Sequence, residues 1–253
     1  MSLAITAVTP LAIIVGADSA LTTVVNGEEV VLTGFPKVLI RRRPSQAFTL
    51  IGDLRIGATG VESWAHLWMR QFLDEMAPTT NLSKTAHELA ETLNQIESSR
   101  GGITTILGAA WEHISRADTG IFAPSVWEVS RGTAGDEFAA RQLLSEDDRR
   151  VMVKSASEGE DGRLFPVRFF HAGIPRGYGA WIIDEGRQRF AAFTGTQLPG
   201  ATLEGVEEYV RFAIKLAADL YAVSGQPRYV AEPVHTVFLF PETARPAVFR
   251  STR

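Results

Sequence analysis

The sequence predicts an α+β sandwich, and three observations predict it. The opening of the chain breaks into short β-branched apolar runs separated by turn residues. Hydrophobic spacing then switches to the helical period over two successive segments. Strands resume, and one long helix precedes a last strand, without the strand–helix–strand alternation that builds a parallel sheet.

Ala4 to Val8 and Leu11 to Ala17 flank Thr9-Pro10 and read as a tight antiparallel hairpin, apolar on both faces and so covered on both sides. Asn26-Gly27 is a type I′ turn signal between Thr22 to Val25 and Val30 to Leu32. Val38 to Ile40 and Phe48 to Ile51 form the next pair, ending at Gly52. From Gly60, Val61, Trp64, Trp68, Phe72 and Met76 recur at helical spacing until Pro78. In a second helix Thr85 and Glu88 are spaced as a capping box, with Leu89, Leu93 and Ile96 as the apolar face.

Ile103 to Ile114 and Ile121 to Val129 read as strands, Pro124 marking an edge or bulge in the second. Ser145 with the acidic run after it suits a short helix start. Val151 to Lys154 and Leu164 to Phe170 read as strands about an exposed acidic hairpin tip. Ala180 to Ile183 and Phe190 to Phe193 are a further strand pair after a Gly173 to Gly179 loop. The long helix runs from Leu203 to Val223, and Val234 to Phe240 is the final strand.

At 253 residues and 45% hydrophobic, with no linker-like stretch, the chain reads as one domain over residues 1–253. A net charge of −4 argues against a nucleic-acid partner, for which a clustered basic face is the footprint. Arg41-Arg42-Arg43, the one basic run, fits a strand end or hairpin turn rather than a phosphate site. No apolar run has the ~20 residues of a membrane-spanning helix. The chain has no cysteine, hence no disulfide, thiol nucleophile or thiolate metal site, and it is expected in the cytoplasm.

Ser2, Asp18 and Lys37 are the best clue to chemistry. A nucleophile on the first residue needs no histidine, because its own α-amine, with a reference pKa of ~7.7–8.0, serves as general base. A buried Asp and a neighbouring Lys stabilise each other's ionised forms, and the Lys field lowers a hydroxyl's pKa. Lys37 is one of four lysines, with Lys84, Lys154 and Lys215, in a chain whose other basic residues are arginines; unlike arginine, a lysine can be tuned by burial. Met1 precedes Ser2, so the scheme requires its removal.

Other catalytic signatures are missing: no G-x-x-x-x-G-K-S/T phosphate loop, no H-E-x-x-H zinc helix and no G-x-S-x-G elbow. Nothing calls for a cofactor or metal. The histidines are scattered, with His66 and His87 read as helix-surface or core-edge residues and His171, beside Phe169 and Phe170, as a weak pocket candidate.

The run Ala12-Ile13-Ile14-Val15-Gly16-Ala17-Asp18-Ser19 resembles the second strand of proteasome-type N-terminal-nucleophile hydrolases. Lys37 matches that family's lysine, and Gly52 the glycine whose N–H helps hold the oxyanion. The resemblance implies a four-layer αββα fold of two antiparallel sheets between helical layers. It implies a bacterial, homo-oligomeric hydrolase of peptide or other amide bonds, with Ser2, Asp18, Lys37 and Gly52 as its catalytic set. Two departures stand out: Ser2 replaces a processed threonine, and Arg228, Ala231, Glu232 and Pro233 stand where the family has Asp and Ser-Gly-Gly support. The alternatives are an inactive member acting as an oligomeric scaffold or binding module, and a small-molecule amidase on the same fold.

Overall fold

The structure, a computed structural model, describes residues 2–25, 28–42, 44–52, 55–56, 63–76, 81–96, 104–114, 121–132, 137–158, 166–173, 186, 188, 192, 202–224, 230–241 and 248–251. In chain order the strands before the first helix are β1 (Ala4–Val8), β2 (Ile13–Ala17), β3 (Leu21–Val25), β4 (Glu28–Leu32), β5 (Val38–Arg42), β6 (Ser45–Gly52), β7 (Arg55–Ile56) and β8 (Ser63–Trp64). Helices α1 (Ala65–Glu75) and α2 (Leu82–Gln95) follow, then β9 (Thr104–His113), β10 (Phe122–Arg131) and β11 (Ala139–Gln142). Helix α3 (Glu146–Glu158), β12 (Arg168–Ala172), helix α4 (Leu203–Val223), β13 (His235–Leu239) and β14 (Val248–Ser251) complete the described elements.

Two five-stranded antiparallel sheets form, in the orders β12-β1-β2-β13-β14 and β11-β10-β9-β6-β5. Three apolar clusters define the layering. Between the sheets lie Val15, Val237 and Leu239 against Ala47, Leu107, Trp111 and Val126. On the outer face of the second sheet, Met69, Leu73, Leu82, Leu89 and Leu93 of α1 and α2 pack on Phe48, Leu50 and Ile106. Against the outer face of the first sheet, Val206, Val210, Ile214 and Ala217 of α4 meet Ile5, Ala7, Ile14 and Phe238. The result is the α–β–β–α sandwich the sequence predicts. β1, β2 and β13 are buried along their whole length, as continuous apolar runs require when a sheet is covered on both faces.

The β1–β2 hairpin has a local cause. Thr9 Oγ1 accepts from Ala12 N at 3.0 Å and donates to Ala12 O at 2.8 Å, tying off the turn that Pro10 pre-bends. Trp111 Nε1 donates to Leu239 O at 2.9 Å and pins β9 to β13 across the inter-sheet core.

Several sequence expectations need correction. Trp64 ends the short strand β8, and α1 begins one residue later. The N-cap of α2 is Asn81, whose side chain accepts from Lys84 N at 2.9 Å; Thr85 and Glu88 lie inside the helix. Val151 to Lys154 belongs to α3. Ser145 caps that helix by accepting from Asp148 N at 3.1 Å, and Glu146, Asp147 and Asp148 complement the positive end of its dipole. Pro124 sits opposite Trp111, beyond the Trp127–Ser130 stretch that β11 pairs with, so its missing N–H costs no ladder bond on that side. The chain continues past the expected last strand into β14. Asn26-Gly27, Ala180 to Ile183 and nearly all of Phe190 to Phe193 lie outside the described residues.

β2 and α4 touch closely at Gly16, where an added Cβ would stand 2.4 Å from Val210 Cγ1. Gly16→Ala is expected to lower stability by about 1–3 kcal/mol, with part recovered when Val210→Ala is added. Urea unfolding of the two variants checks this; a neutral Gly16→Ala would show that the helix can slide away.

Candidate functional site

Three of the four predicted site residues converge. Ser2 leads into β1, Asp18 follows β2, and Lys37 precedes β5. β1 and β2 belong to one sheet and β5 to the other, so the site forms where the two sheets meet. Lys37 Nζ lies 2.8 Å from Asp18 Oδ2 and donates to Ser2 Oγ at 2.5 Å. Lys37 is 2% and Asp18 0% exposed, so this ion pair is shielded from water.

The Asp18 carboxylate is held by backbone as well. Oδ1 accepts from Leu3 N at 2.8 Å and Oδ2 from Ala20 N at 2.9 Å, while Asp18 N donates back to Leu3 O at 3.1 Å. One side chain therefore anchors both the head of β1 and the lysine. Burial pushes the Lys37 ammonium below its ordinary value, and the Asp18 charge and hydrogen bond oppose that shift without cancelling it. Such a lysine can bear the charge that acidifies a neighbouring hydroxyl, and its proton is held less tightly than that of an exposed lysine.

Ser19 organises the surroundings. Its N–H and Oγ both donate to Ala231 O, at 3.1 and 3.4 Å. Its Oγ accepts from Gly34 N at 3.1 Å, and its carbonyl accepts from Phe35 N at 3.1 Å. Gly34 has a φ of +83°, the left-handed region glycine enters without penalty. Ser19 thus links the Asp18 turn to the segment that delivers Lys37. Ala231, read from sequence only as part of a departure from the proteasome pattern, supplies the carbonyl that closes this link.

Gly52, the fourth predicted residue, ends β6 opposite Thr104, exposed and with φ 122°. Its neighbour Ile51 shares a crowded spot with Ser2: a Cβ on Gly173 would fall 1.7 Å from Ser2 O and 3.0 Å from Ile51 Cγ2. Gly173, with φ +114°, is therefore a site-building residue that reading it as the start of a loop missed. A glycine directly after the last apolar residue of an edge strand was the available signal.

His66 was missed in a different way. It is buried at the start of α1, with its ring edge-on to Phe35 at 4.9 Å between centroids. Burial first, then the charges of Lys37 and Arg70, lower its pKa to about 4, so the imidazole is neutral beside the site. Of the two readings the sequence allowed, helix surface or core edge, the buried position fits the second. His87 is exposed, with Nδ1 2.8 Å from Ser83 O, and His171 lies opposite Ile5 on β12. Among the described residues no group of three or more His, Cys, Asp and Glu could hold a metal ion. No described helix is long and apolar enough to cross a membrane.

No protein-family model matches the sequence, and no curated protein matches it. Solved structures do. Anbu from Hyphomicrobium sp. strain MC1 aligns with a TM-score of 0.55 at 13% identity, covering 98% of this chain and 86% of that one. The Anbu ancestral β-subunit from Yersinia bercovieri aligns with a TM-score of 0.55 at 13% identity, covering 98% and 87%. A helical assembly of the Anbu complex from Pseudomonas aeruginosa gives 0.56 at 10% identity, covering 99% and 86%.

The fold is Anbu-like. This corrects the sequence resemblance: the structural neighbours are Anbu, proteasome-like but a family distinct from the proteasome-type hydrolases named from residues 2–52. The reason is that the apolar run into Asp-Ser, the lysine and the glycine are features of the shared fold, and beyond them little in the sequence discriminates between its families. At these identities the likeness establishes the fold alone.

Removing one partner of a buried pair should cost more from the side that leaves a bare charge. Asp18→Ala strands the Lys37 ammonium and frees Leu3 N and Ala20 N, with an expected loss of about 3–5 kcal/mol. Lys37→Met leaves Asp18 with two backbone donors and should cost clearly less. Equal losses in chemical denaturation, or the reverse order, would contradict this reading of the site.

Proposed function

We propose that the protein is an N-terminal-nucleophile hydrolase of peptide or other amide bonds, working in the cytoplasm of a bacterium as a homo-oligomer. The observation that carries the proposal is the contact of Lys37 Nζ with both Ser2 Oγ, at 2.5 Å, and Asp18 Oδ2, at 2.8 Å. Removal of Met1 gives Ser2 a free α-amine. Ser2 Oγ then attacks the carbonyl carbon, and its proton passes to that amine. The charged Lys37 lowers the hydroxyl's pKa, Asp18 orients Lys37, and the Gly52 N–H holds the oxyanion. Collapse of the tetrahedral intermediate breaks the C–N bond, the α-ammonium protonates the leaving amine, and water cleaves the resulting ester.

The homo-oligomer is supported by analogy with the Pseudomonas aeruginosa Anbu complex, solved as a helical assembly. The cytoplasm suits the cysteine-free composition. A second reading, an inactive proteasome-like scaffold or binding module, is favoured by Met1 standing ahead of Ser2 and by Ala231, Glu232 and Pro233 in place of the usual support residues. Lack of cleavage across a broad panel of fluorogenic peptides and amides, by protein starting at Ser2, would turn the assignment to that reading.

The mechanism sets the signs of a pH profile. The α-amine must be neutral to accept the proton, so kcat/KM rises through the amine's pKa, ~7.7–8.0 in unperturbed chains. Lys37 must stay charged, so activity falls as pH passes its pKa, which burial holds below 10.5. The expected curve is bell-shaped, with its alkaline limb below pH 10.5. Ser2→Ala should abolish turnover with little change in stability. A profile still rising at pH 10.5, or full activity in Ser2→Ala, would refute the mechanism.

A further inference from the structure

Helix α4, which packs on the outer face of the first sheet, carries a buried ionic cluster that the catalytic scheme leaves unused. Glu207 and Thr236 are buried, at 5% and 0% exposure, and Arg211 is mostly covered. Arg211 donates through Nε and NH2 to Glu207 Oε1, at 3.0 and 2.8 Å. It also reaches across to β13 and the residue before it, donating to Val234 O at 3.0 Å and to Thr236 Oγ1 at 2.5 Å, and Thr236 Oγ1 donates to Glu207 Oε1 at 2.7 Å. One helical turn away, Lys215 pairs with Glu232. The segment from 231 to 236 is thus held to α4 at both ends.

That segment holds the site in turn. Ala231 O receives both donors of Ser19, and His235 and Thr236 pair with Ala17 and Gly16, the two residues before Asp18. Gly16 is where Val210, next to Arg211 in sequence, seats on β2. Ser19 passes the restraint on to Gly34 and Phe35, two residues short of Lys37. Asp18 and Lys37 are therefore both tied, through Ser19, to the 231–236 segment that Arg211 fixes. A buried ion pair is weak support for stability, because two charges must be desolvated; fixing one arrangement among alternatives is the better-attested use.

We infer that Arg211 is a positioning residue for the Asp18–Lys37 pair: clamped to Glu207, it sets the 231–236 segment and, through Ala231 O and Ser19, the approach of Lys37 to Ser2. The catalytic meaning of this rests on the proposed hydrolase function. The positioning itself does not, so it is read first by a signal that needs no turnover. With four lysines in the chain, protein labelled with 13C at lysine Cε gives a Lys37 titration that can be followed alone. The titratable and charged groups around Lys37 to reckon with are Asp18, His66 with Arg70 beside it and, beyond Asp18, His235 with Arg211.

Arg211→Met leaves Glu207 buried without its cation and is expected to lower stability, so it is paired with Glu207→Gln/Arg211→Met, which removes both charges. In the folded double variant the Lys37 midpoint should rise toward its ordinary value by about half a pH unit or more, as a loosened site admits water. Arg211→Lys should return part of the shift. In an active enzyme kcat should fall roughly ten- to a hundredfold with KM little changed, the size expected of a misplacement near 1 Å. A Lys37 titration unmoved in the double variant, however much the melting temperature drops, would overturn the inference. A shifted titration in a wild-type background that cleaves nothing would keep the clamp and sink only the hydrolase.

Discussion

The structure depends on one buried charge pair. Asp18 and Lys37 are 0% and 2% exposed, and taking both from water is costly unless nearly every lone pair and proton is used. The fold meets that condition with two backbone donors and one side chain: Leu3 N and Ala20 N on the carboxylate, and Ser2 Oγ on the ammonium. Because Leu3 and Ala20 flank the ends of β1 and β2, satisfying the charge also fixes where the chain's head lies. The same bonds that make the pair tolerable bring a hydroxyl to the lysine.

The layered sandwich supplies the dry surroundings. Asp18 leaves β2, in the centre of one sheet, and Lys37 enters β5, at an edge of the other, so the pair stands where the inter-sheet core reaches the end of its strands. Burial lowers the Lys37 pKa, and the neutral His66 adds no second cation at working pH. Gly173 and Gly16 allow the close approaches this geometry needs, one of β12 to Ser2 and the other of α4 to β2.

Much of this was legible in the sequence where a feature is local or strongly periodic. The apolar run ending at Asp18, the lysine just before the β5–β6 strand pair and the helix Leu203–Val223 all appear in the structure as read. Val151 to Lys154 misled because a short apolar run carries no period of its own; the capping serine and acidic first turn of α3 decided it for helix. The Thr85–Glu88 spacing mimicked a capping box, yet Asn81, four residues earlier, had the better side chain and took the cap. Gly173, His66 and Arg211 were invisible because their roles rest on long-range packing: Gly173 on Ser2, His66 on Lys37, Arg211 on β13. The resemblance to proteasome-type hydrolases went one step too far for a related reason, since residues that a fold reuses cannot by themselves separate the families that share it.

The central claim is that the hydroxyl of Ser2 and a free amine reside on one residue held by Lys37. It is tested most directly by protein from its native host, treated with a hydroxyl-acylating β-lactone and mapped by mass spectrometry. The account predicts peptides that begin at Ser2, with Met1 gone, carrying one acyl group on Ser2, and no labelling after Lys37→Ala. A retained Met1, or an acyl group on any other residue with Ser2 unmodified, would contradict it.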